Sequence, residues 1–486
     1  MDREAVEQTL SLKGKRVYIV GGGKSGLAAL GWSLKRGACL CLNDSRAKER
    51  FEPGLLAGLT EAGVTLALGQ EPDPLGFNAE LIVMSPGVPL DKPGLLAAAK
   101  QGIPFTNEIE LGYLSARGPI LAITGSNGKT TVTSLLGDIL KEEYPGVFVG
   151  GNIGRPFAEA AEGLSENQPA VLELSSFQLE TIGVFRPKVA VILNLSPDHL
   201  DRHKTFENYC AAKWRVTKNQ GRGDWLVLNY DDPLLRRGGL DLLARQCVPD
   251  PAAGLPDLPQ VLFFSRRERL PGGIWLNERN EVCLCRARED ERLFSAEGFI
   301  PPGGHNKENL LAAAAAALAF GVAPEAIRRG AMAFRGVEHR LEPVAEIDGV
   351  RYINDSKATN VDAAIKALDS VDAPVVLIAG GHGKGASYRP FAEKIAEKAA
   401  CVVLIGEEQD RIEKALLAEG FSEIVRAGSL AEAVSLCRAK AKPVQVALLA
   451  PACSSYDMFR NYEERGRAFK ELVRRMAAGE DEPCGN

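Results

Sequence analysis

The sequence predicts an α/β fold made of three domains, each with a mainly parallel β-sheet. The first observation is a pattern: the chain three times begins a new series of apolar strand, glycine-rich turn and amphipathic helix, which is typical of parallel α/β layers. The second is length, because 486 residues exceed what one compact core usually holds. The third is composition, since 45% hydrophobic and 25% charged residues are ordinary for a soluble globular protein.

The first series contains three apolar segments and pauses near Pro104–Glu108. It opens with a strand at residues 16–20, followed by a glycine turn and a helix that we expect to begin at Leu27. Two further strands are predicted in the segments ACLCLND and LIVMSPG. We therefore predict a Rossmann-like N-terminal domain over residues 1–107.

The second and third series have the same organisation. The second opens with PILAIT (119–124), a glycine loop and a helix through Leu140. Its later predicted elements are strands at 170–174, 189–195 and 225–229, a helix around Tyr209–Lys218, and the short strands VLFF and IWLN. The third begins near Val337, with strands in VRYINDS, PVVLIAGG, CVVLIG and VQVALLAP. These patterns predict a central domain over 108–336 and a Rossmann-like C-terminal domain over 337–486.

The bulk properties argue against several classes of protein. A net charge of -5 provides no basic surface of the kind that nucleic acid requires. The N-terminal segment is polar and lacks the apolar core of a signal peptide. No uninterrupted apolar run reaches the roughly 18 residues of a membrane helix. We therefore expect a cytoplasmic protein without nucleic-acid or membrane partners.

The segment ITGSNGKTT (123–131) is the most informative in the chain. A strand runs directly into a glycine loop, and we expect a helix to start at Thr130, so that backbone N–H groups and the positive helix end point at phosphate oxygens. Lys129 can reach the β- and γ-phosphates, and the Thr130 hydroxyl can bind Mg²⁺. Ile123 stands where the standard P-loop has glycine, which makes this loop a shorter variant. The central domain is therefore predicted as a P-loop-type ATPase domain; a plain strand–turn–helix connection is the alternative.

Magnesium also needs hard oxygen ligands beside such a loop. Glu173 ends the strand AVLEL, where the side chains of a parallel sheet face the ligand crevice. The next strand ends in LNLSPDHLD, which puts Asp198 and His199 on the same edge. The alternative is that Glu173 is a strand-end carboxylate bonded to Ser175 or Ser176.

The first domain contains a GxGxxG pattern, with Asp44 eighteen residues after its last glycine, Gly26. By itself this pattern predicts a dinucleotide site. It leaves open an NAD(P)-dependent oxidoreductase, a hypothesis that does not explain the lysine loop or the third series. A nucleotide-binding regulator without catalysis is a further alternative.

Seven segments resemble the Mur ligase family, whose members form amide bonds through an acyl phosphate. They are TGSNGKT, GGNIG (150–154), LELSSFQLE (172–180), NLSPDHLDRH (194–203), AAKWR (211–215), GGHNKEN (303–309) and EHRLE (338–342). NDSKATN (354–360), GGHGKG (380–385) and PACSSYDMF (451–459) most resemble the members that add D-glutamate. The resemblance implies a monomeric, ADP-forming ligase of peptidoglycan precursor synthesis, with UDP-N-acetylmuramoyl-L-alanine and D-glutamate as substrates.

The resemblance also implies which residues hold ATP and metal. The implied ATP-binding residues are Gly125, Asn127, Gly128, Lys129, Thr130, Thr131, Asn309 at the adenine, and Arg340 and Asp355 from the third domain. The implied ligands of two Mg²⁺ ions are Thr130, Glu173, His199 and Lys213, the last as a carbamate formed with CO₂. The implied catalytic residues are Lys129, Glu173, His199 and Lys213. From the sequence alone, Lys213 is an exposed helix lysine and HRLE a surface ion pair.

Two further sets of residues are implied for the substrates. The candidates for the UDP-linked precursor are Ser25, Asp44, Ser45, Ser85 and Asn152; the alternative for small polar residues after strands is helix capping. The candidates for D-glutamate are Thr359, Lys384, Ser455 and Tyr462. GHGKG can also be interpreted as a second phosphate loop, although it lacks the Ser or Thr after the lysine.

Overall fold

The computed structural model describes residues 12–246, 257–270, 272–285, 290–301, 303–383 and 387–480. These residues form three β-sheets of five, nine and six strands, flanked by helices. The sheets are mainly parallel, which confirms the predicted α/β fold. In the described ranges no helix is long and apolar enough to cross a membrane.

The first sheet is entirely parallel and has the order β3-β2-β1-β4-β5. Its strands are β1 (Arg16–Val20), β2 (Cys39–Asp44), β3 (Thr65–Leu68), β4 (Leu81–Met84) and β5 (Phe105–Asn107). The accompanying helices are Lys24–Leu34, Pro53–Glu61, Pro93–Lys100 and Glu108–Ser115. The runs VYIV and LIVM are buried throughout, as expected for strands covered on both faces. The strand order reverses between β1 and β4, and ligand crevices form at such reversals.

The second sheet has the order β14-β13-β12-β11-β10-β9-β6-β8-β7. Its strands are β6 (Ile120–Thr124), β7 (Phe148–Gly151), β8 (Ala170–Glu173), β9 (Val189–Ile192), β10 (Trp225–Asn229), β11 (Gln260–Ser265), β12 (Gly273–Leu276), β13 (Glu281–Cys285) and β14 (Glu291–Ser295). Only the pairs β12–β13 and β13–β14 are antiparallel. Because β6 lies between β8 and β9, the loops that follow these three strands meet at one edge.

Helices cover both faces of the second sheet. They are Lys129–Lys141, Phe157–Ala160, Ser176–Leu179, Leu200–His203, Phe206–Trp214, Pro233–Gln246, Gly304–Phe320 and Pro324–Ala333. The alanine-rich helix Gly304–Phe320 is buried from Leu310 to Ala317. Its small side chains allow close packing against the helix Lys129–Lys141, which starts at the phosphate loop.

The third sheet has the order β15-β16-β20-β17-β18-β19. Its strands are β15 (Glu342–Ile347), β16 (Val350–Asn354), β17 (Val375–Gly380), β18 (Ala399–Ile405), β19 (Ile424–Arg426) and β20 (Val446–Leu449). Its helices are Val361–Asp369, Arg389–Lys398, Gln409–Ala418, Leu430–Lys440 and Tyr462–Ala477. Strand β20 lies between β16 and β17, so the loops after these three strands share an edge.

Three helix boundaries differ from the predictions. The first helix begins at Lys24 rather than Leu27, because the extended backbone of Gly23 ends the glycine turn before any apolar side chain appears. The prediction placed the start at the first apolar residue, whereas the backbone conformation determines it. Two other helices also differ from the prediction. The phosphate-loop helix begins at Lys129 rather than Thr130. The helix predicted around Tyr209–Lys218 is α-helical over Phe206–Trp214.

The chain divides into two compact units, with the main boundary between Phe334 and Arg335. The first unit contains the five- and nine-stranded sheets, and the second contains the six-stranded sheet. The three-domain boundaries expected from the sequence, at 107 and 336, stay a prediction.

Candidate active site

The loop between β6 and the helix Lys129–Lys141 has the backbone of a phosphate-binding turn. Gly125 and Gly128 both have positive φ, 147° and 85°, and Gly128 is the N-cap of the helix. A Cβ on Gly128 would lie 2.5 Å from Oδ1 of Asn309, and the positive φ at this position also favours glycine. The Asn127 N–H donates to Oδ1 of Asn194 at 2.8 Å, which ties the loop to the segment after β9.

Two lysine ammonium groups converge on this loop. Nζ of Lys129 donates to the carbonyl oxygens of Gly125 and Ser126, each at 2.9 Å. Nζ of Lys213, from a helix 88 positions away, donates to the same Gly125 oxygen at 2.7 Å. Two basic side chains at one carbonyl oxygen are consistent with an anion site at this loop.

Lys213 is buried, with only 1% of its surface exposed. The interpretation of Lys213 as an exposed helix lysine is therefore wrong. Burial, and then the positive charge of Lys129, lower the pKa of Lys213 from 10.5 to about 7, while Asp198 and Glu173 oppose the shift. The helix face that carries Lys213 and Tyr209 is buried, and Nζ of Lys213 lies 4.6 Å from the Tyr209 ring centroid.

Glu173 at the end of β8 has one bonded and one unbonded carboxylate oxygen. Oε1 accepts from Nδ2 of Asn152 at 2.8 Å. Oε2 is buried and has no hydrogen-bond partner among the described residues. The serines considered as alternative partners bond elsewhere, Ser175 to Gln178 and Ser176 to His203. A buried, unpartnered carboxylate oxygen is costly, and a bound cation would satisfy it.

His199 follows β9 and is the N-cap of the short helix Leu200–His203. Its backbone is in the left-handed region, with φ 51°, and its side chain is half exposed. The imidazole lies against the Phe177 ring, with centroids 4.9 Å apart, and Nε2 is 3.6 Å from Oδ2 of Asp198. His199 and Asp198 therefore lie on the expected edge, and Phe177 orients the imidazole.

The fit to magnesium can be tested on these donors. In the part of the chain that the structure describes, no three His, Cys, Asp or Glu side chains are grouped closely enough to hold a metal ion. A cation at this edge would need other oxygen donors, such as the buried Thr130 hydroxyl and a carbamate on Lys213. The free Oε2 of Glu173 and the lowered pKa of Lys213 both fit such a site.

Two other predicted ATP-binding residues are buried beside the loop. Thr131 lies in the first turn of the phosphate-loop helix and is 5% exposed. Asn309 approaches Gly128 and donates from Nδ2 to Oδ1 of Asn306 at 3.1 Å. Both positions agree with a nucleotide site at the loop.

The crevice of the first sheet is formed by the glycine turn after β1 and the turn after β4. Oγ of Ser85 donates to the Gly21 carbonyl at 2.9 Å. A Cβ on Gly26 would lie 1.8 Å from that carbonyl oxygen, so the close approach requires glycine. Ser25 is half-buried in the first turn of the adjoining helix.

Asp44 at the end of β2 is nearly buried and fully engaged. It accepts from the Gly22 N–H at 2.7 Å and from the Arg46 guanidinium at 2.8 and 3.0 Å. Burial alone would raise the pKa of Asp44, but these hydrogen bonds outweigh it and lower the pKa to about 2. Arg46 and the exposed Ser45 therefore lie at the crevice with Asp44. Sequence reasoning missed Arg46, although a basic residue two positions after a strand-end Asp was available.

The predicted nucleotide residues of the second unit lie near β16. Asp355 follows β16, is buried, and accepts from the Leu341 N–H at 3.3 Å. Burial raises the pKa of Asp355 from 3.8 to about 6, although Arg340 and Lys357 oppose the shift. Glu342 binds Lys470 at 2.9 Å, which leaves Arg340 outside the ion pair considered for HRLE.

Of the predicted D-glutamate residues, Thr359 follows β16, Ser455 follows β20, and Tyr462 is the first residue of the last helix. Ser455 is 2% exposed, and Thr359 and Tyr462 are half-buried. The Tyr462 carbonyl accepts from Oγ of Ser356 at 2.8 Å, which joins the start of the last helix to the loop after β16. Lys384 lies outside the described residues.

Arg465 holds these loops together and was missed by sequence reasoning. It is 1% exposed, and Nη2 donates to the carbonyls of Ser356 and Cys453 at 3.0 and 3.1 Å. Burial lowers the pKa of Arg465 to about 10. The charged run EERGR predicts an exposed surface, but Arg465 lies four and eight positions before the buried Phe469 and Val473, on the same helix face. That spacing was the available indication.

Family models match all three regions of the chain. The models match as follows: Mur ligase MurD-like N-terminal domain at residues 15–107, Mur ligase middle domain at 123–242, and the glutamate ligase domain of Mur ligases at 339–453.

Relatives of known name match almost the whole length. The UDP-N-acetylmuramoylalanine–D-glutamate ligase of Pelotomaculum thermopropionicum is 47% identical over 465 residues, covering 96% of this chain and 98% of that protein. The ligase of the same name from Koribacter versatilis is 44% identical, covering 97% of this chain and all of that protein.

Solved structures share the fold at low sequence identity. The UDP-N-acetylmuramate–alanine ligase of Thermotoga maritima superposes with a TM-score of 0.54 at 21% identity, covering 96% of this chain and 99% of that one. The MurF ligase of Thermotoga maritima, solved in complex with ADP, has a TM-score of 0.53 at 16% identity, covering 96% and 97% of the two chains.

Proposed function

The chain belongs to the Mur ligase family of ATP-dependent ligases, and from that premise we propose that it joins D-glutamate to UDP-N-acetylmuramoyl-L-alanine in peptidoglycan synthesis. Supporting this choice is the near-full-length similarity to proteins named as D-glutamate ligases. The proposed location is the cytoplasm and the proposed state a monomer.

The proposed reaction has two steps. The terminal alanine carboxylate of the precursor attacks the γ-phosphorus of ATP, which forms an acyl phosphate and releases ADP. The D-glutamate amine then attacks the acyl carbon; the tetrahedral intermediate loses phosphate, and the amine proton passes to solvent. The protein must bring two anions together, offset their charge and exclude water.

The phosphate loop would bind the triphosphate. Gly125, Asn127 and Gly128 would line the triphosphate at the start of the helix Lys129–Lys141, where an anion is favoured. Lys129 would exchange its contacts with the Gly125 and Ser126 carbonyls for the γ-phosphate. Thr131 and Asn309 would line the nucleotide site, with Asn309 at the adenine.

Mg²⁺ would be held by Thr130, Glu173, His199 and the carbamate of Lys213, and would supply positive charge to the phosphate oxygens. The buried Oε2 of Glu173 supports this assignment. Two ions are proposed, with His199 as a ligand of the second, as the resemblance to the Mur ligase family implies.

Lys213 is proposed to react with CO₂. Only a neutral amine forms a carbamate, and a pKa of about 7 leaves about half of the amine neutral at pH 7. Carbamylation would replace the ammonium beside Lys129 with an anion, which removes a repulsion between two cations and provides oxygen donors for the metal.

The remaining assignments concern the substrates. The precursor's UDP part is proposed to bind at Ser25, Asp44, Ser45 and Ser85, and its muramoyl part at Asn152. D-Glutamate is proposed to bind at Thr359, Lys384, Ser455 and Tyr462. Arg340 and Asp355 are proposed to reach ATP from the second compact unit.

The observation that carries the proposal is the convergence of Lys129 and Lys213 on the Gly125 carbonyl, beside a Glu173 carboxylate with one free oxygen. A simple turn has no need of two lysines and a buried, unpartnered carboxylate. A phosphoryl-transfer site requires such groups.

The first test is phosphate release from ATP and Mg²⁺ in the presence of UDP-N-acetylmuramoyl-L-alanine. D-Glutamate, L-glutamate, L-alanine and diaminopimelate are compared as amine substrates. We expect release with D-glutamate alone, together with formation of the amide product. Release with another amino acid would contradict the D-glutamate assignment, and no release by an ATP-binding preparation would contradict the ligase proposal.

A further inference from the structure

Arg202 links the two sheets of the first compact unit. It lies in the helix Leu200–His203, directly after His199, and its side chain is only 12% exposed. Nη2 binds Oε2 of Glu180 at 2.7 Å. Nη1 donates to the carbonyl oxygen of Pro86 at 3.3 Å. One guanidinium thus contacts both the edge of the nine-stranded sheet and a turn of the five-stranded sheet.

The guanidinium of Arg202 also contacts an aromatic ring beside Glu180. Its guanidinium carbon lies 4.6 Å from the centroid of the Phe177 ring. The same ring contacts His199 and stacks on His203, with centroids 4.9 and 5.4 Å away. Phe177 is four residues after Glu173, so Arg202 belongs to the same framework as the candidate metal ligands.

The other end is the turn that faces the glycine turn of the first sheet. Pro86 follows Ser85, whose Oγ and N–H bond to the carbonyls of Gly21 and Val20, each at 2.9 Å. A displacement of Pro86 would therefore move the wall of the crevice where the UDP part is proposed to bind.

A second charged pair near this turn is a weaker link between the two sheets than Arg202. Lys204 and Asp91 are 3.8 Å apart and 65% and 63% exposed. Solvent screens such a pair, and exposed ion pairs contribute little. Arg202 is mostly buried, bonds two partners through different guanidinium nitrogens and lies over an aromatic ring, a combination that lysine cannot reproduce.

We propose that Arg202 is a positioning residue that keeps the precursor crevice at Ser85–Pro86 in register with the catalytic edge at Glu173 and His199. This inference rests on the proposed function, in which one substrate has its UDP on the first sheet and its reacting carboxylate at the second. Phosphoryl transfer requires reacting atoms within about 3.5 Å, and a displacement of about 1 Å can lower the rate about 100-fold.

The test uses the full chain with R202M and R202K. Lysine keeps the charge but cannot reach both Glu180 and Pro86, so both variants should lower kcat by about 10- to 100-fold. KM for the precursor and for ATP should change less than about threefold, because the proposal places neither substrate in contact with Arg202. E180Q should lower kcat less, in the same direction. R236K is the matched control, since Arg236 also has an aromatic ring and a glutamate partner but no contact with the first sheet.

Each outcome has a defined meaning. Thermal midpoints and the stoichiometry of bound precursor separate a positioning defect from loss of folded protein. If R202M does not fold, the kcat values of R202K and E180Q test the proposal. A kcat of R202K equal to that of R236K would overturn the proposal. So would a raised precursor KM with unchanged kcat, which would make Arg202 a direct ligand. A wild-type protein without D-glutamate-dependent turnover would instead contradict the proposed function.

Discussion

At the scale of the residue, the same side chain has different chemistry once it is buried. Lys213 loses its preference for the charged state because its ammonium lies below the phosphate loop, next to Lys129. Asp355 is driven toward the neutral acid by the same desolvation. Both are groups that the proposed function uses, and perturbed groups are concentrated at functional sites.

Replacing Lys213 by alanine should abolish ligation, by a factor of at least about 1,000, because the carbamate oxygens and the metal they hold are lost together. Added short carboxylates should restore part of the activity by occupying the vacated space. The measurement is D-glutamate-dependent phosphate release, with Lys141→Ala, an exposed helix lysine, as the control. Full activity of the Lys213 variant would refute the carbamate.

Replacing Asp355 by asparagine should stabilise the protein at neutral pH while it impairs ATP use. The folded pKa of Asp355, about 6, exceeds the unfolded value of 3.8, so wild-type stability falls as pH rises from about 4 to about 6. The asparagine variant lacks that loss and should be more stable at pH 7 by up to about 3 kcal/mol. The gain should vanish below about pH 4.

Urea unfolding followed by a probe in the second unit measures this difference. The exposed Asp372→Asn is the control for removing a carboxylate elsewhere in the second unit. An Asp355 variant that is less stable than wild type at pH 7 would show that the carboxylate is stabilised by its neighbours.

At the scale of the element, glycines decide where a strand can turn into a helix beside a ligand. The helix Lys24–Leu34 contains two glycines in very different surroundings. A Cβ on Gly26 would lie 1.8 Å from the Gly21 carbonyl oxygen, whereas nothing lies within 4 Å of a Cβ on Gly31. Gly26 allows the helix to approach the glycine turn that forms the crevice, whereas Gly31 has no such close neighbour.

Gly26→Ala should therefore destabilise the protein by about 1–3 kcal/mol or more through overpacking. Gly31→Ala should stabilise it by about 0.5–1 kcal/mol, because alanine is the better helix former. Chemical unfolding of the two variants against wild type gives both values. Equal changes in the free energy of unfolding for the two variants would mean that the glycine turn accommodates a Cβ at position 26 without loss of stability. Precursor affinity should fall for the first variant only.

At the scale of the whole molecule, the proposed nucleotide residues are divided between two compact units. The phosphate loop belongs to the first unit, and Arg340 and Asp355 belong to the second. If both bind one ATP, then binding must stabilise both units. A ligand present at 100 times its Kd adds about 2.7 kcal/mol to the stability of the state that binds it.

Hydrogen exchange with Mg²⁺ and a non-hydrolysable ATP analogue measures this linkage. We expect new protection in the segments 123–131 and 339–355 together. With Asp355→Asn, protection of the second segment should decrease more than that of the first. Protection confined to 123–131 would contradict the proposed contact of Arg340 and Asp355 with ATP.

Local features were predictable from the sequence because they depend on neighbours along the chain. Apolar strands followed by glycine turns indicated three parallel sheets, and the loop around Lys129 identified its own helix start to within one residue. Strand-end positions also placed Glu173 and His199 on one edge, since the carboxyl ends of parallel strands meet there.

Only the tertiary structure decided what those side chains experience. Lys213 reaches Gly125 across 88 positions, Arg202 reaches Pro86 across 116, and Arg465 reaches Ser356 across 109. A helix pattern or a charged run does not report such partners, because desolvation and hydrogen bonding depend on which distant segments pack together. The sequence by itself determined the fold class and the types of residue at the site; packing determined their burial, their protonation and their alignment.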